Sequence, residues 1–274
     1  MINMQFLHFV LFKRQLVNLK SGYLIILCAI AFNLSFAQSD TETAFLAADG
    51  STLDRAATTP LLVRKVNDFD INGIGSNMAW ETVEWNRLSK LDEEGPDYPS
   101  KFKIQYSHTG IYLLFEGTDS KITTSDYEDM DRIWNGDVFE VFFHPNPKEP
   151  IYFEYEVNQF GKQLLLTISK SKNGVSWIPF NEYGKNTYGT YTKVNVSGGE
   201  AKIGEEITSW RAEVFISYKS LGLLPLVPPK SGTVWNANFC RLDYDTGKMA
   251  KWSWTPTIKN SFHELNKFRA ITFE

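Results

Sequence analysis

The residues of this chain best suited to chemistry are three glutamates, Glu140, Glu154 and Glu156, and the tryptophan that precedes them, Trp134. They lie in IWNGDVFEVFFHPNPKEPIYFEYEVNQFG, residues 133–161, which reads as two strands around a turn. DVFEVFF and IYFEYEVN alternate with period two, and the three prolines of HPNPKEP forbid a continuing ladder. A hairpin symmetric about Pro147 sets Phe139 opposite Tyr155, Val141 opposite Phe153 and Phe143 opposite Ile151. One side of that ribbon is wholly apolar and belongs to a core. The other side carries Glu140, Phe142, Tyr152, Glu154 and Glu156, with Glu140 facing Glu154, and like charges so placed destabilise a sheet. Two readings follow. The commoner is a wet sheet face on which carboxylates repel weakly through water; the sharper is a face covered by a cation, a sugar or basic side chains. The distinction depends on register, because a slip of one residue moves every side chain to the opposite face.

Other groups offer weaker chemistry. Paired carboxylates hydrolyse glycosides when they stand about 5–10 Å apart on either side of a cleft. A cross-strand glutamate pair meets the distance but leaves no room for a sugar between its members. Haem ligation would need histidines that converge, yet His108 sits in a turn, His144 follows a strand and His263 lies near the end, with no spacing that ties them. Asp126, Glu128, Asp129 and Asp131 could ligate Ca²⁺, but their spacing matches no calcium loop and a solvated charge run accounts for them. Structural Ca²⁺ is thus the one ion left open, and no cofactor is expected. Trp252 and Trp254 of WSW share a parity, and form either a second sugar platform or a tryptophan pair in the core. Nucleophile, Walker, dinucleotide and structural zinc motifs are absent from the sequence.

The elements that must position these groups are short strands. The chain has 274 residues, 43% apolar and 22% charged, with aromatics at 15% that fall in alternating runs. A net charge of −4 gives no basic footprint, so nucleic acid is not an expected partner. Lys13, Arg14 and Lys20 precede the apolar run GYLIILCAIAFNLSFA, and Ser35-Phe36-Ala37 resembles a cleavage site. Residues 1–37 therefore read as a signal peptide and the protein as exported, periplasmic or extracellular, with no membrane insertion after cleavage. Removing that leader takes Cys28 with it and leaves Cys240 alone, so stability must come from a core rather than a disulfide. Residues 38–60 are polar and aperiodic, a flexible arm. Residues 61–274 carry about nine short antiparallel strands and no convincing amphipathic helix. KFKIQYS and IYLLFEGTD pair around a turn, and SWRAEVFISYKSLGL places Trp210, Ala212, Val214 and Ile216 on one face and Arg211, Glu213 and Phe215 on the other. This pattern indicates an all-β fold, a single jelly-roll-like β-sandwich. Nothing in it fixes an oligomeric state.

Four stretches in this order resemble the family 9 carbohydrate-binding modules, in their divergent exported bacterial branch. KFKIQYSHTGIYLLFEGTD is similar to the family's extended strand pair. IWNGDVFEVFFHP follows its pattern of Trp, two residues, Asp, two residues, Glu and an apolar run. SWRAEVFISYKSLGL resembles a third family strand, with Tyr218 where the family has proline. WNANFCRLDY and WSWTPTIKNSFHELNKFRAITF resemble its closing segment. The resemblance spans about residues 67–274. It implies a non-catalytic β-sandwich that clamps a pyranose between two aromatic rings, in polysaccharide capture or degradation. Carried over by position, Trp134 is the first clamp residue and Glu140 the hydrogen-bonding carboxylate. Phe262 stands where a second tryptophan is found, and Lys248 and Lys259 where arginine and asparagine are found. Glu156 stands where another arginine is found, reversing the charge presented to the sugar. The physics of sugar recognition agrees with this assignment: apolar C–H faces stack on electron-rich rings, while hydroxyls need planar polar partners.

Overall fold

Where aromatic and β-branched residues alternate with polar ones, the chain forms thirteen strands among the described residues. The computed structural model describes residues 59–91, 93, 95–172, 174–179, 189–257 and 261–274, all within the unit Asp49–Glu274. The expected signal peptide, most of the expected arm and Lys259 lie outside the described residues.

Two layers make a sandwich. In the first, β8 (Gly174–Pro179), β7 (Gln163–Ser171), β6 (Ile151–Asn158), β5 (Val138–His144) and β11 (Val234–Asp243) lie side by side and antiparallel. The far edge of β11 is shared by β13 (Arg269–Phe273) and β12 (Ala250–Ser253). In the second layer run β2 (Asn86–Lys90), β3 (Ser100–Tyr106), β4 (Gly110–Thr118), β10 (Ser209–Ser217) and β9 (Thr190–Ser197). β1 (Leu61–Lys65) pairs in parallel with β13 through its first half and with β3 through its second, stitching the layers together. The β12–β2 pairing joins them again. The expected sandwich is present, with more strands than the nine expected. One addition is β8, in a stretch that is not among the expected strands.

Between the layers lies an aromatic core. Phe102 stacks on Phe239 at 3.6 Å between centroids and Phe115 on Phe139 at 5.0 Å. Full burial of each such side chain contributes roughly 1.5–3 kcal/mol. Trp210, Trp235, Trp252 and Trp254 belong to this same core. Trp252 is 1% exposed and Trp254 7% exposed, so neither offers a ring to a ligand. A second sugar platform at WSW is thereby corrected to a core tryptophan pair.

Two details of the central hairpin differ from expectation. Phe139, Val141 and Phe143 do face the core, but their partners are Val157, Tyr155 and Phe153. Glu140 therefore faces Glu156, and Phe142 faces Glu154. The turn is the cause: the Asn146 side chain accepts from the Lys148 N–H and its carbonyl from the Glu149 N–H, so the bend is not centred on Pro147. A shift of two keeps every side chain on its expected face, since the side-chain period is also two. The second difference is larger. The glutamate face is not wet; Glu140, Glu154 and Glu156 are all buried.

Each layer also packs something on its outer side. Over the second layer, residues 66–85 fold across Tyr112, Leu114 and Phe215, with Trp80 from the 3₁₀ turn Met78–Thr82 buried among them. Their anchor is Glu213. Its carboxylate accepts from the N–H groups of Asn72, Gly73 and Gly75 at 2.9, 2.8 and 3.3 Å and from the Trp80 indole at 2.7 Å. Over the first layer, residues from the 3₁₀ turn Ile133–Asn135 and from 262–268 pack on Phe142, Tyr152, Leu164, Leu166 and Ile168. That outer face holds the glutamates.

Candidate functional site

A cavity of about 350 Å³ opens on the outer face of the first layer, at the low end of the ~300–1,000 Å³ usual for small-ligand sites. Its polar lining is Glu140, Glu154, Glu156, Lys251, Ser261 and His263. Trp134, Trp177, Phe262, Leu166, Ile168 and Met249 contribute much of its apolar lining.

Strand parity explains how these side chains meet. Glu140 from β5 and Glu156 from β6 are register partners, and Glu154 is one repeat further along β6. Ile168 of β7 pairs with Trp177 of β8, so that indole rises from the same face. In β12 Trp252 points into the core, which turns its neighbour Lys251 to the cavity. Trp134 comes from the turn before β5 rather than from a strand. Tyr244 fixes that turn by donating its hydroxyl to the Trp134 carbonyl at 2.8 Å. Asp137 fixes Tyr244 in turn, accepting its backbone N–H at 2.7 Å, and also takes the Thr123 N–H and the Gln159 amide, each at 2.9 Å. The spacing Trp134, Asp137, Glu140 thus has a physical meaning. The first residue walls the cavity, the second anchors the turn and the third lies in the floor.

The carboxyl groups are under-supplied with donors. No partner reaches Oε2 of Glu154 or Oε2 of Glu156, although both atoms are buried. Glu154 and Glu156 stand two apart on the same face of β6, and Glu140 faces Glu156 across the ladder, so the three carboxyl groups crowd one patch. Burial pushes the Glu154 carboxyl up to about 7. Burial raises Glu156 well above the usual carboxylate range, with the charges of Glu140 and Glu154 adding to the effect. Glu140 is raised by burial and by Glu154, against the pull of Lys251. His263 is lowered by burial and by Lys170, and its Nδ1 lies 2.9 Å from the Tyr152 hydroxyl. At neutral pH its ring is uncharged.

The expected residues are brought together in part. Trp134, Glu140, Glu156 and Phe262 line the one cavity. Phe262 is 7% exposed and packs against Phe142, so it presents an edge of the wall rather than an open face. Lys248 is exposed on the turn between β11 and β12 and is not among the lining residues, where Lys251 supplies the ammonium. Sequence reasoning passed over Trp177 and Lys251, weighed His263 only as a haem ligand and named Glu154 only as one of the glutamates of the hairpin face. Parity could have found the first two: Trp177 alternates with Val175 in GVSWIP, and Lys251 alternates with Trp252.

The three histidines do not converge. His108 lies beside Asp68, His144 binds the Glu149 carbonyl and only His263 reaches the cavity. Nor does the acidic run gather around an ion: Glu128 pairs with Lys162, Asp129 accepts the Gln163 N–H and Asp131 the Glu128 N–H. A different acidic set does gather, Asp119, Asp137, Asp243 and Asp245, with donor atoms within 4.8 Å of one another. The buried Arg241 guanidinium answers its charge, bonding Asp119 at 3.0 Å and Asp243 at 2.6 Å. Tyr98, Ser120 and Thr123 hydroxyls take up Asp245. Removing one partner of such a buried network costs about 3–5 kcal/mol, so its evident work is structural.

Comparison with known proteins places the fold. A search of curated proteins returned no match. Among solved structures the chain is similar to a Bacteroides uniformis ATCC 8492 protein assigned as carbohydrate-binding, at TM-score 0.63 and 19% identity, covering 78% of this chain and 99% of the other. It is also similar to a carbohydrate-binding module of family 9 from Caldicellulosiruptor kristjanssonii solved with glucose, at TM-score 0.53 and 16% identity, covering 78% and 95% of the two chains. The same module solved with cellotriose gives TM-score 0.53 and 16% identity, with 79% and 94% covered. At these identities the likeness is one of fold. The sequence profile of carbohydrate-binding family 9 matches residues 73–273, nearly all of the sandwich, and the chain belongs to that family.

Proposed function

We propose that the protein is a non-catalytic carbohydrate-binding protein that holds a sugar in the Trp134–Glu140–Glu154–Glu156 cavity. The observation that carries this reading is the pairing of a half-exposed indole, Trp134, with buried carboxyl oxygens that no donor satisfies. An aromatic wall takes the apolar face of a pyranose, and unsatisfied acceptors take its hydroxyls, each unmade buried bond costing about 1–3 kcal/mol. Trp177, 47% exposed on β8, supplies a second ring at the same cavity. Family membership supports carbohydrate as the ligand class. Export and a part in polysaccharide capture belong to the same proposal.

Glycoside hydrolysis fits the geometry poorly. It needs carboxyl groups on two sides of the scissile bond, whereas Glu140, Glu154 and Glu156 all rise from one sheet face, two of them as direct cross-strand partners.

Isothermal titration of the protein with a glycan panel that includes glucose and cello-oligosaccharides tests the reading. Saturable binding that is lost in Trp134→Ala is expected. No heat from any glycan up to millimolar concentration would refute it.

A further inference from the structure

The cavity is unbalanced in charge in a way that points to a narrower ligand class. Among the described residues, three carboxyl groups line it against one ammonium, Lys251, while the other basic group in the lining, His263, is uncharged at neutral pH. Lys170 is the charged neighbour beside His263, donating to its backbone carbonyl at 3.2 Å from outside the lining, while Cys240, the register partner of Glu140, and the phenols of Tyr152 and Tyr244 are all shifted upward and stay protonated. Two acidic oxygens of residues that line the cavity, Oε2 of Glu154 and Oε2 of Glu156, are buried and have no donor. Donors are what the site lacks.

The ligand that would supply them is constrained by shape as well as charge. A hard metal ion needs several oxygens close around one point. Among the described residues, the set of donor atoms that meets such a spacing is the aspartate group around Arg241, and none of these glutamates belongs to it. The glutamate cavity has instead the volume and the two indoles of a ring-binding site. Resting on the carbohydrate reading above, we propose that this cavity selects an amino sugar, a pyranose bearing an unmodified ammonium group, over the neutral and N-acetylated forms of the same sugar.

The physical basis is the difference between the three ligands at one spot. A neutral hydroxyl meets crowded, buried carboxyl groups that hold a proton against ionisation. An ammonium lets that proton leave and makes charge-assisted hydrogen bonds to the ionised pair, roughly twice as strong as neutral ones. An acetyl group removes the charge and one donor together. The ring itself still stacks on Trp134, so the sugar and its charge are read by separate parts of the cavity.

Titration with three matched ligand series decides the matter: β-1,4-linked oligomers of glucosamine, of N-acetylglucosamine and of glucose, each against the whole protein, Glu154→Gln and Glu156→Gln, with near-ultraviolet circular dichroism to confirm folding. The expected result is glucosamine oligomers bound at least about tenfold tighter than both others, with that preference falling below about threefold in either variant. Glucose oligomers bound as tightly as glucosamine oligomers would overturn the charge selection and leave carbohydrate binding intact. Binding of none of the three would overturn the charge selection, and the wider glycan panel then decides carbohydrate binding separately. Cyclohexylammonium or calcium chloride bound as tightly as the amino sugar would overturn the proposal by showing that charge alone is read. The comparison of the three series in the unaltered protein stands even if a variant fails to fold.

Discussion

On the outer face of one layer, Glu213 accepts four N–H donors from a segment folded over it; on the outer face of the other, Glu154 and Glu156 each keep an oxygen that no donor reaches. All three carboxylates are buried strand residues on faces turned away from the core. The difference is in what covers them. Residues 72–80 bring backbone N–H groups to Glu213 at close range, so the carboxylate organises the covering loop and the face is closed. Rings and aliphatic side chains do much of the covering at Glu154 and Glu156, and they exclude water without replacing its hydrogen bonds. One face is finished by the chain; the other is left short of donors.

Breaking the finished face has the largest expected effect. Glu213→Ala strands the Trp80 indole and three backbone N–H groups, and unmade buried bonds cost about 1–3 kcal/mol each, so a loss of about 3 kcal/mol or more in denaturant unfolding is expected. Sugar binding in the folded fraction is expected to survive, because no part of that segment touches the cavity.

The unfinished face responds with the opposite sign. Glu154 is raised from 4.5 to about 7 in the folded protein, so its native proton is held where the unfolded chain has already released it. Stability from this group is therefore greatest below about pH 4.5 and falls as pH rises through about 7. Glu154→Gln removes the penalty, and a gain on the order of 2 kcal/mol in unfolding free energy at pH 8 is expected, shrinking toward zero at pH 5. A Glu154→Gln protein that is less stable than the parent at pH 8 would erase the contrast between the faces.

Smaller effects separate the ring from its support. Trp134→Ala should weaken sugar binding by about tenfold or more, near 1.4 kcal/mol, with little change in unfolding because the ring is half-exposed. Tyr244→Phe removes only the bond that fixes the Trp134 carbonyl, so a loss of about 1 kcal/mol in binding is expected by titration, with the ligand preference unchanged.

The faces of the hairpin were legible in sequence, since period two alone separates Phe139, Val141 and Phe143 from Glu140 and Phe142. So was the spacing of Trp134, Asp137 and Glu140. Register was not, because it depends on how the Asn146 side chain shapes the turn rather than on where the prolines fall. The burial of the glutamates was further out of reach. Their cover comes partly from residues 262–268, and the Tyr152–His263 contact joins positions 111 apart. Trp177 was hidden by composition: Gly, Asn and Tyr crowd the sequence around it, although Val175 and Trp177 share a parity. Lys248 and Lys251 show the limit of reasoning by position along the chain, where Lys248 stays outside the cavity while its neighbour Met249 and then Lys251 line it.

The most direct test follows the eight indole N–H signals by two-dimensional NMR as an oligosaccharide is added. The account predicts that Trp134 and Trp177 shift together and saturably, while Trp80 on the closed face and the core rings Trp210, Trp235, Trp252 and Trp254 stay in place. Movement of Trp80 with Trp134 and Trp177 unmoved would put the ligand on the wrong face and contradict it.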